Sequence, residues 1–213
     1  MFKITTWIIV GLALLGASAW GIMKVFFNYE QANYQVAVSE GKFEIRDYAP
    51  MIVAQGEFIG QRNEAIDKGF MVVASYIFGK NISEKKIDMT TPVMQQSSEK
   101  IPMTVPIMQA KGQNNSWTLS FVMPSEYTLQ TLPVPNNPDI KLKEIPAKRF
   151  AVIRFSGMWT QSNLTKRTLE LETFLKSKQL VTLSSPVYAF FNPPWTPWFL
   201  RRNEIMIEIQ VNG

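Results

Sequence analysis

Two periodicities divide this chain. Alternation with period two marks strands at Tyr34–Val38, Phe43–Tyr48 and Met51–Phe58. It returns at Ser116–Met123, Ile140–Ile145, Phe150–Ser156, Val187–Phe191 and Ile205–Val211. In the early strands it turns Phe43, Ile45 and Val53 inward and Glu44, Arg46 and Gln55 toward solvent. From Asn63 to Phe78 the period lengthens to that of a helix, with Ile66, Phe70 (beside Gly69), Val73 and Ile77 in one stripe. Asn63 is the expected N-cap and Gly79 the expected residue just past the C-terminus. Met71, Ala74, Ser75 and Phe78 widen the apolar surface beyond what one packed side needs. Such a helix is either buried on two sides or lends its second face to a ligand cleft. A second helix is expected from Ser162 or Asn163, with Leu164, Thr168, Leu171 and Leu175 inward and Lys166–Glu170 and Glu172–Lys176 as outer i,i+4 pairs. Strand–strand–helix–strand–strand thus occurs twice. This predicts an α+β domain: a distorted antiparallel β-barrel with two flanking helices, built by internal duplication.

One stretch stands apart. Lys-Ile-x-Met-Thr-x-Pro-(Val/Ile)-Met-Gln occurs at Lys86–Gln95 and again at Lys100–Gln109. Alternation places Ile101, Met103, Val105 and Ile107 on one face of the second copy, and the polar residues Gln96 to Glu99 suggest a hairpin turn. Each proline removes a ladder donor, so a bulged or edge pair is expected rather than central strands. The methionines are either ordinary core or the soft wall of a cavity. A second unusual stretch, Asn192 to Glu204, holds three prolines, Trp195, Trp198 and Phe199, then Arg201 and Arg202. Such a loop either grips a flat apolar ligand that carries carboxylates, or plugs the barrel while its arginines pair with Glu204 or Glu208.

Composition narrows the chemistry. The 213 residues are 46% hydrophobic and 18% charged, enough for one good-sized core. The net charge of +5 is scattered, which gives no nucleic-acid footprint. With no cysteine and no histidine, disulfides, thiol catalysis, the usual zinc sites and the commonest general base are excluded. Ser83-Glu84-Lys85-Lys86 has the Ser-x-x-Lys form but lacks its Ser-Asp-Asn and Lys-Thr-Gly partners. Glu44 and Asp47 fall on opposite strand faces and make a poor acid–base pair. No catalytic machinery is visible.

Ile4 to Met23 are 20 consecutive uncharged residues between Lys3 and Lys24. As a helix they match the hydrocarbon thickness of a bilayer, about 30 Å, with Trp7 and Trp20 near its ends. Ala17-Ser18-Ala19 also has the form of a signal-peptidase site. Residues 1–24 are therefore expected to be a transmembrane anchor or a signal segment, and residues 25–33 a juxtamembrane linker. Residues 34–213 are then the folded domain, on the periplasmic or extracellular side.

The runs KFEIRDYAP, YIFGKN, KIDMTTPVMQQ, KIPMTVPIMQ, AVIRFSG and NPPWTPWFLRRNEIMIEI, in this order, resemble the SOUL haem-binding proteins. The resemblance implies a monomeric distorted barrel that holds haem or a free porphyrin in a hydrophobic cleft. It also implies a fold similar to bacterial effector-binding domains that take up varied amphiphiles. Carried onto this chain, the cleft lies between the first helix and the loop before the last strand. Its expected wall is Ile66, Phe70, Met71, Ala74, Trp195, Trp198 and Phe199, with Arg201 or Arg202 for propionates. Some members ligate iron through histidine and this chain has none, so haem would bind by enclosure or through Met, Tyr or Lys. The expectation is a membrane-anchored, non-catalytic binder of a planar amphiphile, with no nucleic-acid partner. The competing expectation is a membrane-associated structural or interaction protein that keeps the fold without a ligand.

Overall fold

The computed structural model describes residues 30–82, 100–193 and 195–211. The first Met-Thr-Pro copy and the 4–23 segment lie outside the described residues. Elements run in the order β1 (Glu30–Gln31), β2 (Tyr34–Glu40), β3 (Phe43–Tyr48), β4 (Met51–Ile59), α1 (Arg62–Ile77), β5 (Asn81–Ile82), β6 (Thr104–Val105), β7 (Ile107–Lys111) and β8 (Ser116–Val122). They continue as β9 (Val134–Pro135), β10 (Lys141–Ile145), β11 (Lys148–Phe155), α2 (Gln161–Ser177), β12 (Val187–Phe190) and β13 (Asn203–Glu208).

Among the described residues nine strands form one antiparallel sheet, ordered β10-β4-β8-β7-β12-β13-β11-β3-β2 and curled into a half-barrel. The order is balanced about its middle. To one side of the β7–β12 pair lie β8 and β4, to the other β13 and β11. α1 lies on β4 and β8, and α2 on β11 and β13. The central pair therefore runs between the two helices.

Each helix ends by the same device. Gly79 takes a φ of 103° past α1 and donates to Tyr76 O, while Lys80 N–H reaches Ser75 O. Past α2, Gln179 does likewise at φ 56°, donating to Lys176 O, while Leu180 N–H reaches Leu175 O. The caps at the starts differ from expectation. The cap of α1 lies two residues earlier than Asn63, at Gln61, which makes no side-chain cap bond. α2 is capped by Thr160, whose hydroxyl accepts from Asn163 N–H. The expected outer pairing also shifts: Glu170 takes Lys42 of the turn between β2 and β3 and Arg167, not Lys166.

Two further expectations are corrected. The second Met-Thr-Pro copy is not at an edge, because β7 is hydrogen-bonded to both β8 and β12. Its prolines are accommodated because Pro102 and Pro106 precede the ladder and the cis Val105–Pro106 bond separates β6 from β7. Alternation breaks at that bond. Ile101 and Ile107 pack in the α1 core, whereas Val105 joins the core on the opposite face. The second correction is Arg46, expected in solvent and found 1% exposed. Period-two reasoning assumed a sheet wet on one side. Here the face away from the helices carries its own core of Val53, Val122, Val152, Ala189, Met206 and Tyr48.

Arg46 is tolerated there because it is paired. Its Nη1 and Nη2 donate to the Glu204 carboxylate at 2.7 and 3.1 Å, and its Nε donates to Glu44 at 2.6 Å. Burial opposes the Arg46 charge, but the Glu204 carboxylate outweighs it and the net shift is upward. Tyr48, which accepts from Arg46, is pushed up to about 12, chiefly by burial and then by the Glu204 charge.

α1 approaches the sheet closely because Gly69 faces the ring of Phe58, which is 5% exposed. A Cβ at Gly69 would lie 2.6 Å from that ring. Gly69→Ala gains about 1 kcal/mol of helix propensity but must displace a packed ring at about 1–3 kcal/mol. A lower urea midpoint with an unchanged m-value is expected. An unchanged or raised midpoint contradicts this packing.

Candidate functional site

On the helix-bearing face, the strip between α1 and α2 is paved with rings. Trp117 of β8 and Tyr188 of β12 stack with centroids 6.3 Å apart. Phe190, two residues on from Tyr188, meets Trp159 edge-on at 5.4 Å. Trp159 precedes α2 and carries the Arg201 guanidinium over its face at 4.2 Å. Strand register explains the grouping: Tyr188 is opposite Gln109, Gln109 opposite Leu119, and Phe190 opposite Ile107, so all point to the helix side.

Arg62, the first residue of α1, lies over this paving. Its guanidinium carbon is 5.8, 5.5 and 6.0 Å from the centroids of Trp117, Tyr188 and Phe190. Nη2 donates to Gln109 Oε1 at 2.7 Å. Nε is buried without a hydrogen-bond partner. Burial pushes the guanidinium below its ordinary range, with Tyr188 acting the other way. Ile66 and Phe70 follow Arg62 at four-residue steps along α1, both half-buried, and Phe70 meets Phe121 at 5.6 Å. The result is an apolar, aromatic strip with Arg62 at one end and Arg201 at the other.

The expected site residues separate into three groups. Ile66 and Phe70 lie on the flank of α1 that carries Arg62. Ala74 is 3% exposed and lies in the core beneath α1, and Met71 is 70% exposed. Trp195, Trp198 and Phe199 are 79%, 59% and 58% exposed. The loop that carries them docks against the approach to α2, where Gly157 N–H donates to Trp198 O. Its link to α1 runs through Trp159 and Phe190, not by direct closure. Arg202 donates to the buried Glu204 at 2.8 Å and to Gln31 at 2.9 Å, and stacks on Phe191. Arg201 donates to Thr196 O at 2.8 Å. Of the two readings of these arginines, the pairing with Glu204 is what Arg202 does.

Sequence reasoning missed Arg62, Gln109, Trp117, Trp159, Tyr188 and Phe190. Arg62 did carry a signal: a cation in the first turn of a helix opposes the helix dipole and calls for a reason.

Two hollows lie away from this strip. One, of about 210 Å³, is bounded by Glu30, Ala32, Met51, Thr104, Met123 and Glu144 at an end of the opposite face. It is smaller than the roughly 300–1,000 Å³ usual for organic ligands. The other is a wide-mouthed depression of about 680 Å³ on the outer side of α2, beside Lys42, Phe43 and Leu169. Among the described residues no cluster of three or more acidic side chains is placed to hold a metal ion, and no helix is long and apolar enough to cross a membrane.

A half-barrel carrying two helices on one face is a fold shared with several solved structures. The crystal structure of the C-terminal domain of EcmrR superposes with a TM-score of 0.58 at 13% identity, over 83% of this chain and 98% of that one. A hydrolase from Listeria innocua gives 0.55 at 12% identity, over 82% and 94%. A conserved protein of Listeria innocua gives 0.53 at 12% identity, over 88% and 96%. At these identities the likeness is one of fold. No curated protein matches the chain. The family model of the SOUL heme-binding proteins matches residues 29–208, and the chain belongs to that family.

Proposed function

We propose that this protein is a non-catalytic carrier or sensor of a planar amphiphile, haem or a metal-free porphyrin first among them. In this reading the guest lies along the strip between α1 and α2. The observation that carries the reading is the strip of rings, Trp117 stacked on Tyr188 and Phe190 edge-on to Trp159, beside the half-buried flank of α1, in a chain of a haem-binding family. Aromatic faces and the half-buried Ile66 and Phe70 suit a flat apolar body, and Arg62 suits its acid groups. The strip fits a macrocycle better than it fits an iron centre, because the sequence supplies neither imidazole nor thiolate. Porphyrin without metal is accommodated on the same terms as haem. Residues 4–23 anchor the chain in a membrane, with a monomeric domain on the extracytoplasmic side.

A second reading, an interaction protein without a small ligand, draws on the exposure of Trp195, Trp198 and Phe199. Mass spectrometry of small molecules co-purifying with the membrane-extracted full chain separates the two. A tetrapyrrole or similar flat acid at near one per chain supports the first. A chain free of such molecules that stays so after growth in excess porphyrin precursor contradicts it.

A further inference from the structure

Arg62 differs from the carboxylate-paired arginines in what balances it. Arg46 and Arg202 share the Glu204 carboxylate, Arg149 takes Asp47 at 2.6 and 2.7 Å, and Arg167 takes Glu170 at 2.9 Å. Arg62 has a neutral amide, three rings and a buried Nε left unsatisfied. Among the described ion pairs none includes it. A guanidinium stays charged in a protein, so its partial burial without a counter-ion has a cost. Its position adds to that cost, since the first turn of α1 contributes positive potential of its own. The unsatisfied Nε and the start of the helix both favour an anion at this spot.

From this arrangement we infer that Arg62, held by Gln109, is the acid-recognition residue of the site, and that the strip selects flat aromatic guests bearing a carboxylate over their neutral counterparts. The inference rests on the ligand-binding reading above. It moves acid recognition away from Arg201 and Arg202, whose guanidinium groups are engaged with Thr196 O and Trp159 and with Glu204. The carboxylate takes the guanidinium edge, satisfying Nε or Nη1, while Gln109 fixes the plane of the group. Trp117 and Phe190 beneath are core residues, so the body of the guest meets the half-buried Tyr188, Ile66 and Phe70 beside the guanidinium. Arg62 is a binding residue, and the chemistry it reads is charge at a planar edge.

The test titrates the full chain in detergent micelles with protoporphyrin IX and, separately, with its dimethyl ester, subtracting a titration of micelles alone. The wild type is expected to bind the diacid at least about tenfold more tightly than the ester, the scale of one charge-assisted hydrogen-bonded pair. Arg62→Met keeps the stem and removes the charge, and is expected to bring the two affinities together by weakening the diacid alone. Arg62→Lys restores part of the preference, and Arg201→Met leaves it intact. Thermal melts of each variant monitor folding, and the acid-to-ester ratio in the wild type needs no variant at all. If the wild type binds both porphyrins equally, or if Arg62→Met keeps the preference, the inference is overturned and the carrier reading stands. If the wild type binds neither, both fall.

Discussion

Glu204→Ala is expected to lower the free energy of unfolding by about 3–5 kcal/mol, because it leaves a buried cation without its main partner. Glu204 is fully buried on β13 and accepts from Arg46 of β3 and Arg202. Arg46 sits 1% exposed with its guanidinium 4.3 Å from the Tyr34 ring. After the substitution Glu44, on the more open side, and the Tyr48 hydroxyl remain to it. The cost is that of stranding a charge, and it differs from the net worth of the pair. Replacing both ends with apolar groups of similar size, as in Arg46→Met with Glu204→Leu, is therefore expected to recover most of the loss. Urea unfolding of the two single variants and the double variant measures the coupling. A double variant as unstable as the sum of its parts contradicts this account of the network.

Phe121→Ala is the second large effect, expected at about 3–5 kcal/mol for an aromatic ring removed from a full core. Phe121 is fully buried on β8, between β4 and β7, and its ring meets Phe70 of α1. The vacancy would lie beneath the helix that carries Ile66 and Arg62. The same variant is thus expected to loosen α1 and weaken porphyrin binding, a link that Leu171→Ala under α2 would not make. Comparing the two variants in unfolding and in binding tests whether α1 alone frames the guest. Equal loss of binding from both would contradict it.

Much of the fold was legible because local rules are honoured locally. β3 runs over the residues its alternation marks, and both helices sit where the period lengthens. The errors came from assumptions about surroundings. Alternation alone places Arg46 in solvent, because a single strand does not reveal that its second face is also covered. The prolines point to an edge for β7 only if they lie within the strand, and they stand just before it. Neither partner, Glu204 nor β12, lies near in sequence.

The site was legible only in part for the same reason. The flank of α1 was named through Ile66 and Phe70, both on one helix. The paving comes from β7, β8, β12 and the approach to α2, and no local pattern announces that residues so far apart share a face. The Pro-Trp loop drew attention by composition, yet three of its rings are exposed and one of its arginines serves Glu204. Composition marked an unusual loop, and geometry assigned its side chains elsewhere.

The central claim is that a flat amphiphile lies on the ring-paved strip between the helices. A Soret-band titration of the full chain with protoporphyrin IX, read together with tryptophan fluorescence, tests it most directly. The account predicts a saturable shift at one porphyrin per chain, with quenching that diminishes in Trp117→Phe. A response that grows linearly without saturation, matching empty micelles and unaltered in Trp117→Phe, would contradict it.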